Sequence, residues 1–375
     1  MKIELTTEQL QFQKEVKSFV EEAIIPYASQ WDLEEELSMK IIKQLAQRKY
    51  LGAMISKKYG GMGLEHVSIG LLNEEIGRGC SSTRSLLTVH GMVALAIERW
   101  GSQKQKDNWL PKMAKGEMIA AFGLTEPQVG SDAKGIETSA VAKEDYLVLN
   151  GVKKWITMGQ IADLFLIFAQ YEGKPTAFLI ERKCNGFSTE AIKGMLGARA
   201  SMISELTFDN CKVLKENIVG KIGTGLTHIA LPSLDYGRYT IAWGCVGLAQ
   251  ACLDESISYS CKRKQFQKSL RQHQLIQKMI TEMVVEIKAA RLLCLNAGYL
   301  KEKGDPESIM EIWHAKYFSS IMVNKVANDA VQIHGANGCH SKYPVERYYR
   351  DARVNEIIEG TTQMHEILIA THAMR

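Results

Sequence analysis

The sequence lacks the short cysteine motifs that bind zinc or form redox pairs. Its eight cysteines are scattered along 375 residues, and no two of them stand in a C-x-x-C arrangement or in a local cluster with histidine. Because 46% of the residues are hydrophobic, the chain can form a sizeable core without a disulfide or a structural metal. We therefore expect reduced cysteines, a cytoplasmic location and no metal site.

Long apolar runs and a strong charge imbalance are also missing. No run of about eighteen apolar residues occurs, so we expect no membrane span. The opening stretch MKIELTTEQLQFQKE has no apolar segment of the kind that secretory signals carry. The net charge is only +4, with a pI near 8.5. This balance gives no indication of nucleic-acid binding, although it suits an acidic partner.

The hydrophobic pattern divides the chain into three parts. Apolar residues first recur at helical spacing, then form short β-type runs, and then return to helical spacing. No repeat, low-complexity stretch or flexible linker interrupts them. We predict an N-terminal helical domain over residues 1–117, a middle β domain over 118–222 and a C-terminal helical domain over 223–375.

Periodicity and breaker residues place the individual elements. Thr6 or Thr7 can cap the first helix, and Pro26 is expected to bend or end it. The dipeptide Asn150-Gly151 is typical of tight hairpins and predicts one there. Three further runs, LFLIFAQ, TAFLIE and SELTFDNCKV, are strand-like. The helices are predicted at about 7–27, 35–48, 66–78, 84–100, 102–115, 224–262, 271–303, 306–336 and 361–373.

Two stretches of the β part carry residues suited to a flat ligand. The hydroxyls of Thr125 and Ser131, with the open backbone of Gly130, suit a planar or phosphorylated group. Trp155 and Thr157 stand two apart on a predicted strand, so they are expected on one face of it. Each stretch by itself also fits an ordinary role, a strand-end loop in the first case and a core tryptophan in the second.

Two stretches of the C-terminal part are suited to phosphate. Arg263 lies in a basic loop around Phe266, and guanidinium groups bind pyrophosphate through paired donors. In VQIHGANGCH, Gly335 is a natural helix C-cap, Gly338 follows it, and Gln332 precedes both. The alternatives are a solvated basic loop and a polar helix end.

The stretch VNEIIEGTTQ places Glu359 between two isoleucines and a glycine. An ionised glutamate beside apolar side chains is costly unless it is paired or protonated. A raised pKa would let Glu359 act as a base near neutral pH. The alternative is a solvated glutamate at a helix N-terminus.

Taken together and in order, seven motifs resemble the acyl-CoA dehydrogenase family of flavoproteins over essentially the whole chain. They are YGGMG, LTEPQVGSDA, KKWIT, LDYGR, RKQFQKSL, QIHGANG and IIEGTTQ. The resemblance implies an N-terminal α-helical domain, a middle β-barrel-like domain and a C-terminal four-helix bundle. It also implies FAD as the cofactor, in a homotetramer or homodimer that binds FAD across a subunit contact.

The resemblance implies roles for individual residues. The loop that holds the flavin ring and the start of the substrate arm is matched by Phe122, Leu124, Thr125, Gly130 and Ser131. The pair that flanks the ring is matched by Trp155 and Thr157. The pyrophosphate and adenosine contacts, partly from a neighbouring subunit, are matched by Arg263, Phe266, Gln332, Gly335, Gly338, Thr361 and Gln363. Positions near the pantetheine end of the substrate are matched by Asp235 and Arg238.

The resemblance also assigns the catalytic base. Glu359 matches the carboxylate that removes the α-proton of an acyl thioester while a hydride leaves the β-carbon for the flavin. Ile357 and Ile358 are then expected to desolvate it and raise its pKa. Some members carry the base in the LDxxR segment, but there this chain has Tyr236 and Gly237, so Glu359 is the expected base.

The stretch YGRYTIAWGCVGLAQACLD most resembles a subgroup of polyketide and nonribosomal peptide pathways. Its members, the colibactin-type aminomalonyl enzyme among them, oxidise seryl- or glyceryl-type C3 units on an acyl carrier protein towards amino- or hydroxymalonyl groups. The alternatives are a short-chain acyl-CoA dehydrogenase that reduces an electron-transfer flavoprotein, an acyl oxidase that uses oxygen, and a nucleic-acid-binding flavoprotein. Two departures from the family pattern are Gln267, where many relatives have glycine, and Glu366, where many have a basic residue.

Overall fold

The computed structural model describes residues 4–374, and it confirms the predicted order of helices, sheet and helices. Within the described residues, no helix is both long and apolar enough to cross a bilayer. The first helical part contains α1 (Thr7–Ala23), α2 (Ile25–Glu34), α3 (Met39–Gln47), α4 (His66–Gly79), α5 (Ser81–Trp100) and α6 (Gln103–Ala114).

The start of the first helix is confirmed, but its predicted end is wrong. Thr6 Oγ1 accepts a hydrogen bond from the Gln9 N–H, and Gln9 Oε1 accepts one from the Thr6 N–H, which forms a capping box. The helix ends at Ala23, and Pro26 lies in the first turn of α2. A proline is tolerated there because the first-turn N–H has no partner within the helix.

The middle part contains eight described strands: β1 (Ala120–Gly123), β2 (Ser139–Ala142), β3 (Tyr146–Ile156), β4 (Leu164–Tyr171), β5 (Lys174–Glu181), β6 (Phe187–Ala191), β7 (Ser204–Leu214) and β8 (Ile218–Val219). They form one sheet in the order β6-β7-β3-β2-β4-β5-β8, with β1 also paired to β4. The sheet is open, since β6 and β8 at its two ends do not pair with each other.

Strand β4 explains why its sequence is apolar without alternation. Phe165 and Ile167 belong to a core shared with α1–α3, whereas Leu164, Leu166 and Phe168 belong to a core shared with α5 and α6. A strand that is buried on both faces needs apolar residues at every position. Helices therefore cover both faces of the sheet at this strand.

The hairpin predicted at Asn150-Gly151 does not form. Both residues lie inside β3, and its pairing with β7 shifts register between Leu149 and Gly151. The Asn150 side chain accepts a hydrogen bond from the Asn210 N–H at 2.8 Å. Gly151 has φ +146°, and a Cβ there would lie 2.7 Å from Thr138 Cα. The glycine thus permits a β-bulge and a close approach of β2 rather than a turn.

The described C-terminal part contains three long α-helices and two short ones. The long helices are α7 (Leu231–Lys262), α8 (Gln274–Glu302) and α9 (Ser308–His334), and the short ones are α10 (Val345–Val354) and α11 (Thr362–Ala373). The short strands β9 (Lys264–Gln265) and β10 (Lys268–Ser269) follow α7. Helix α7 packs against α4, α8 and α9, so the two helical parts share one core. Helix α10 was not predicted from the sequence.

Candidate active site around Glu359

Glu359 lies in the loop between α10 and α11, and the loop backbone turns its side chain towards α7. Glu359 and Gly360 both have positive φ, at +55° and +94°. This conformation is unfavourable for a glutamate and marks a constrained position. The Thr362 N–H donates to the Glu356 carbonyl at 3.0 Å, and Thr361 caps α11. Both contacts fix the loop around Glu359.

The carboxyl group of Glu359 is enclosed against α7 and has no hydrogen-bond donor in the part of the chain that the structure describes. A Cβ added at Gly237 would lie 2.6 Å from its Cδ and Oε2, so the carboxyl rests directly on α7. The residue as a whole is half-buried, but Oε2 is buried and accepts no hydrogen bond from residues 4–374. Burial raises the pKa of Glu359 to about 7, although Arg238, Lys316 and Arg84 act in the opposite direction. Such a group can take up a proton near neutral pH.

The prediction that Ile357 and Ile358 shield the Glu359 carboxylate from water is only partly right. Ile357 is 54% exposed, so it does not shield the carboxylate, contrary to the prediction. Ile358 is half-buried against the C-terminal core. The close contact is supplied by α7 at Gly237, because a glycine leaves room for the carboxyl against the helix backbone.

Two buried cations hold the backbone of this loop. Arg238 Nε donates to the Glu359 carbonyl at 3.0 Å, and Lys316 Nζ donates to the Gly360 carbonyl at 2.7 Å. Arg238 also pairs with Asp235 at 2.6 Å, and Trp313 Nε1 donates to the same carboxylate at 2.9 Å. Asp235 and Arg238, predicted to contact substrate, thus position the loop of the base in the structure. Their contact with substrate stays a prediction.

The loop after β1 is anchored by a buried ion pair. Glu126 accepts hydrogen bonds from Lys153 Nζ at 2.6 Å and from the Thr138 N–H at 3.0 Å. Lys153 Nζ also donates to the Leu124 carbonyl at 3.1 Å, and the Thr125 carbonyl accepts from the Lys154 N–H. The loop backbone between Leu124 and Glu126 is therefore fixed. The structure places the residues predicted to hold the flavin on or beside this segment: Phe122, Leu124, Thr125, Gly130 and Ser131.

Trp155 and Thr157 do not lie on one face of a regular strand, as had been predicted. Trp155 has φ +62°, Met158 has φ +59°, and the ladder shifts register between Lys153 and Ile156. Strand β3 ends at Ile156, so Thr157 lies beyond it. The indole of Trp155 is 50% exposed. An exposed aromatic plane on a strained backbone suits a flat ligand.

The remaining predicted cofactor residues lie mostly on the surface. Phe266 stands at the tip of the β9–β10 hairpin and is 89% exposed. Phe266 and Gln267 have φ +53° and +63°, which explains why glycine is favoured at the second position. The others are Arg263, which follows α7; Gln332, Gly335 and Gly338 at the end of α9; and Thr361 and Gln363 at the start of α11.

Two of the predicted cofactor residues lie far from Glu359 along α7. Glu359 touches α7 at Gly237, whereas Arg263 follows the last residue of that helix and Phe266 stands in the hairpin beyond it. Gly237 and Arg263 are separated by about 39 Å along the helix axis at 1.5 Å per residue. Thr361 and Gln363, predicted for the same end of the cofactor, lie beside Glu359 instead.

Sequence reasoning missed a polar group on α5 that faces the same side of α7. Arg84 is 3% exposed and donates to Thr88 Oγ1 at 3.1 Å and to Ser85 Oγ at 3.0 Å. Thr88 in turn lies 2.9 Å from Thr240 Oγ1. The signal that could have revealed it is an arginine at the start of an otherwise apolar helix. His90 on the same helix is a hydrogen-bonded core residue, with both ring nitrogens held by backbone groups.

Three family models match the chain in succession. The N-terminal domain model of acyl-CoA dehydrogenases matches residues 6–117, the middle domain model matches 121–211, and the C-terminal domain model matches 223–374.

Curated relatives match along their whole length. Glutaryl-CoA dehydrogenase of Desulfococcus multivorans is 38% identical over 99% of this chain and 97% of its own. The short-chain-specific acyl-CoA dehydrogenase of Clostridium acetobutylicum is 37% identical over 100% of both chains.

Solved structures of several kinds share the fold. A chain in a solved structure described as the electron transferring flavoprotein of Acidaminococcus fermentans superimposes with a TM-score of 0.97 at 35% identity. The match covers 100% of both chains. Glutaryl-CoA dehydrogenase of Mycobacterium smegmatis in complex with FADH2 gives 0.94 at 30%, covering 98% of this chain and 95% of its own. The prolyl acyl carrier protein oxidase AnaB gives 0.94 at 29%, covering 99% of both. FkbI, for methoxymalonyl extender unit biosynthesis, gives 0.88 at 29%, covering 96% and 99%.

Proposed function

Because this chain belongs to the acyl-CoA dehydrogenase family of FAD-dependent oxidoreductases, we propose that it dehydrogenates an acyl thioester with Glu359 as the base. The observation that carries this proposal is the carboxyl of Glu359, which is enclosed against Gly237, has a buried oxygen without a partner, and has a pKa of about 7. A structural carboxylate would be paired, as Glu126 is.

We assign a separate role in this reaction to each of the following groups of the chain. Glu359 accepts the proton at its carboxylate. The Glu359 N–H donates no hydrogen bond within residues 4–374, so it is available to the thioester oxygen, where it would stabilise developing negative charge. When bound, FAD supplies the two-electron acceptor for the hydride that leaves the substrate. The loop of Leu124–Ser131 with Trp155 would hold the ring, and the β9–β10 hairpin of a second subunit would hold the adenosine side.

We further infer that the acyl group is a seryl- or glyceryl-type C3 unit on an acyl carrier protein, which is oxidised towards an amino- or hydroxymalonyl unit in secondary metabolism. In this reaction an O–H proton of the C3 alcohol or aldehyde hydrate passes to Glu359 while C3 loses a hydride. Support comes from the similarity to AnaB and FkbI.

We also propose a cytoplasmic location, since a reducing cytoplasm would suit the eight cysteines, all of which are free thiols.

The second candidate is α,β-desaturation of a short-chain acyl-CoA. The curated relatives, named as CoA dehydrogenases and 34–38% identical, favour it, and it uses the same base. In either case an electron-transferring flavoprotein is a suitable acceptor, as the similarity to the Acidaminococcus fermentans chain suggests.

The test offers the FAD-loaded protein butyryl-CoA or a carrier protein loaded with a seryl or glyceryl group, without oxygen. We expect the loaded carrier protein to bleach the visible flavin absorbance. Bleaching by butyryl-CoA alone would assign the enzyme to CoA thioesters. The absence of bleaching by any thioester would refute the acyl thioester assignment.

A further inference from the structure

Two cysteines that are distant in the sequence meet in the middle part of the fold. Cys184 lies in the turn between β5 and β6, and Cys211 lies on β7. Their sulfur atoms are 3.4 Å apart, and the Cys211 thiol donates to the Cys184 sulfur. Within residues 4–374, the other cysteine sulfurs make no hydrogen bond to a second cysteine. The fold thus brings together one specific pair of thiols.

The backbone on both sides of this pair is already joined. The Lys212 N–H donates to the Asn185 carbonyl at 3.2 Å, so the residues that follow the two cysteines are bonded to each other. The Asp209 N–H donates to the Gly186 carbonyl at 2.8 Å. Gly186 has φ +81°, and a Cβ there would lie 2.3 Å from the Asp209 carbonyl oxygen. A glycine is needed for this close approach, which holds the turn directly against β7.

A small movement separates this contact from a covalent bond. A disulfide bond is about 2 Å long, so the two sulfurs would have to approach each other by about 1.4 Å. Cys184 is half-buried at a turn, and its thiol donates to the Lys212 carbonyl at 2.7 Å. Rotation of this side chain away from the carbonyl would bring its sulfur towards Cys211 while the backbone hydrogen bonds stay in place.

The two thiols differ in accessibility and in acidity. Cys184 is half-buried, whereas Cys211 is fully buried. The hydrogen bond that Cys211 donates lowers the pKa of Cys184, and the same bond together with burial raises the pKa of Cys211. A thiolate that solvent can reach is the form that reacts with a peroxide. Cys184 is therefore suited to react first, and Cys211 is suited to react with the product.

We propose that Cys184 and Cys211 form a reversible disulfide when the protein is exposed to a peroxide, with Cys184 as the thiol that is oxidised first. This inference goes beyond the proposed function and does not depend on it. Disulfides in a reducing compartment are usually transient, so both thiols are free in the resting protein.

The reaction balances with hydrogen peroxide as the two-electron oxidant. The Cys184 sulfur attacks one peroxide oxygen and the O–O bond breaks, which forms a sulfenic acid, while the thiol proton and the departing hydroxide form one water. The Cys211 sulfur then attacks the Cys184 sulfur, the S–O bond breaks, and the hydroxyl leaves with the Cys211 proton as a second water. A dithiol reverses the bond by exchange and is itself oxidised to a disulfide.

The bond would join two segments that also contact the rest of the sheet. Cys211 lies opposite Leu149 on β3, and Arg182 in the turn donates to the Ala162 carbonyl at 2.6 Å. A cross-link between the turn and β7 closes a loop of chain that would stay constrained after unfolding. We therefore expect the oxidised protein to be more stable to heat than the reduced protein.

The experiment treats the FAD-loaded full-length protein with hydrogen peroxide, blocks the remaining thiols by alkylation and digests the protein without reductant. We expect a cross-linked pair of peptides that contains Cys184 and Cys211 and is about 2 Da lighter than the two reduced peptides together. Dithiothreitol should restore both thiols. The melting temperature should rise by about 2–5 °C on oxidation and fall back on reduction.

Three variants test the order of the two steps. Cys211→Ser should stop at the sulfenic acid of Cys184, which dimedone traps, whereas the unsubstituted protein should lose this labelling as the disulfide forms. Cys184→Ser should leave the buried Cys211 thiol free after peroxide treatment. Cys261→Ser, at an exposed position near the end of α7, is the matched control and should form the disulfide as completely as the unsubstituted protein.

The peptide analysis of the unsubstituted protein tests the proposal even if a variant fails to fold. Oxidation of Cys184 to a sulfinic acid without a cross-linked peptide would refute the proposal. A cross-link from Cys184 to a cysteine other than Cys211 would also refute it. A disulfide that forms but lowers the melting temperature would show that the native backbone does not accommodate the bond, and the proposal would again be wrong.

Discussion

Two glutamates of the protein, Glu126 and Glu359, have enclosed carboxyl groups but opposite hydrogen-bonding environments. Glu126, 5% exposed, accepts hydrogen bonds from Lys153, Thr138 and the Glu137 N–H. Although burial opposes it, the Lys153 ammonium and these donors hold the pKa of Glu126 below its ordinary value. Glu359 has a buried oxygen with no donor, and burial raises its pKa to about 7. Burial alone therefore does not decide what a carboxylate does, because its hydrogen-bond partners decide whether it is fixed or reactive.

The two sites also differ in what surrounds them. Glu126 ties the loop after β1 to β3 through a charge pair that is shielded from water, with Lys153 fully buried. Around Glu359 the cations bind the loop carbonyls instead of the carboxylate. The positive groups thus fix the position of Glu359 while leaving its oxygens available to a substrate.

The largest expected effect is the loss of the unpaired carboxylate. Glu359→Gln should lower the rate of flavin reduction by thioester about a thousandfold or more, since general bases contribute roughly 10²–10⁴-fold. FAD should stay bound, because the loop contacts of Arg238 and Lys316 go to backbone carbonyls. The exposed Glu366→Gln is the control. Rapid-mixing reduction rates that are unchanged in Glu359→Gln would refute the assignment of the base.

Breaking the ion pair between Lys153 and Glu126 should instead lower the stability of the fold. Lys153→Met leaves Glu126 buried and uncompensated, which should lower the free energy of unfolding by about 3–5 kcal/mol and weaken FAD binding. The double change Lys153→Met with Glu126→Gln should recover part of this loss. Thermal melting and FAD titration check both variants. Equal stability of the single and double variants would show that the charge pair is not the cause.

The pH dependence of flavin reduction should identify the raised pKa. Glu359 must be ionised to accept a proton, so the rate should rise about tenfold per pH unit and level off near pH 7, where the structure places its pKa. The profile is measured by rapid mixing with substrate in excess over its dissociation constant. A rate that is flat between pH 5 and pH 8 would contradict the enclosed state of this carboxyl.

The smallest expected effect is a gain in stability. The folded protein binds a proton at Glu359 more tightly than the unfolded chain, so ionised Glu359 costs stability increasingly from pH 4.5 to about 7 and fully above that. Glu359→Gln should therefore raise the free energy of unfolding by up to about 3 kcal/mol at pH 8. The gain should vanish near pH 4. Denaturant titrations at both pH values check it, and an equal gain at both would exclude ionisation as its cause.

Much of the fold could be predicted from periodicity, and the exceptions have physical reasons. Helix α10 was missed because Arg347 and Asp351 are buried beside Val345, Tyr348 and Ala352, so its inner face is not apolar in sequence. The Asn150-Gly151 hairpin was predicted from a local turn preference, but pairing with β7 continued through it. The turn preference of two residues is outweighed here because a continuous strand β3 forms many more hydrogen bonds with β7 than a hairpin turn would allow.

The candidate site was predicted less completely than the fold. Glu359 and the loop predicted to hold the flavin were found from motifs, but Arg84, Thr88 and Lys316 carry no motif. They lie on α5 and α9 and become neighbours of the base only when these helices pack around α7. Nor could the sequence show that Trp155 leaves the regular strand, because its positive φ depends on a register shift against β7.

The sequence by itself determined the order of helices, sheet and helices. It also predicted the residue that can act as the base and the loops suited to a flat, phosphorylated cofactor. These depend on periodicity and on short contiguous motifs. Only the tertiary structure decided that, among residues 4–374, the Glu359 carboxyl has no hydrogen-bond donor and Arg84 has no carboxylate partner, and that both lie along one face of α7. A pKa and an unbalanced charge depend on solvent exclusion and on neighbours distant in sequence, and these exist only after the helices have packed.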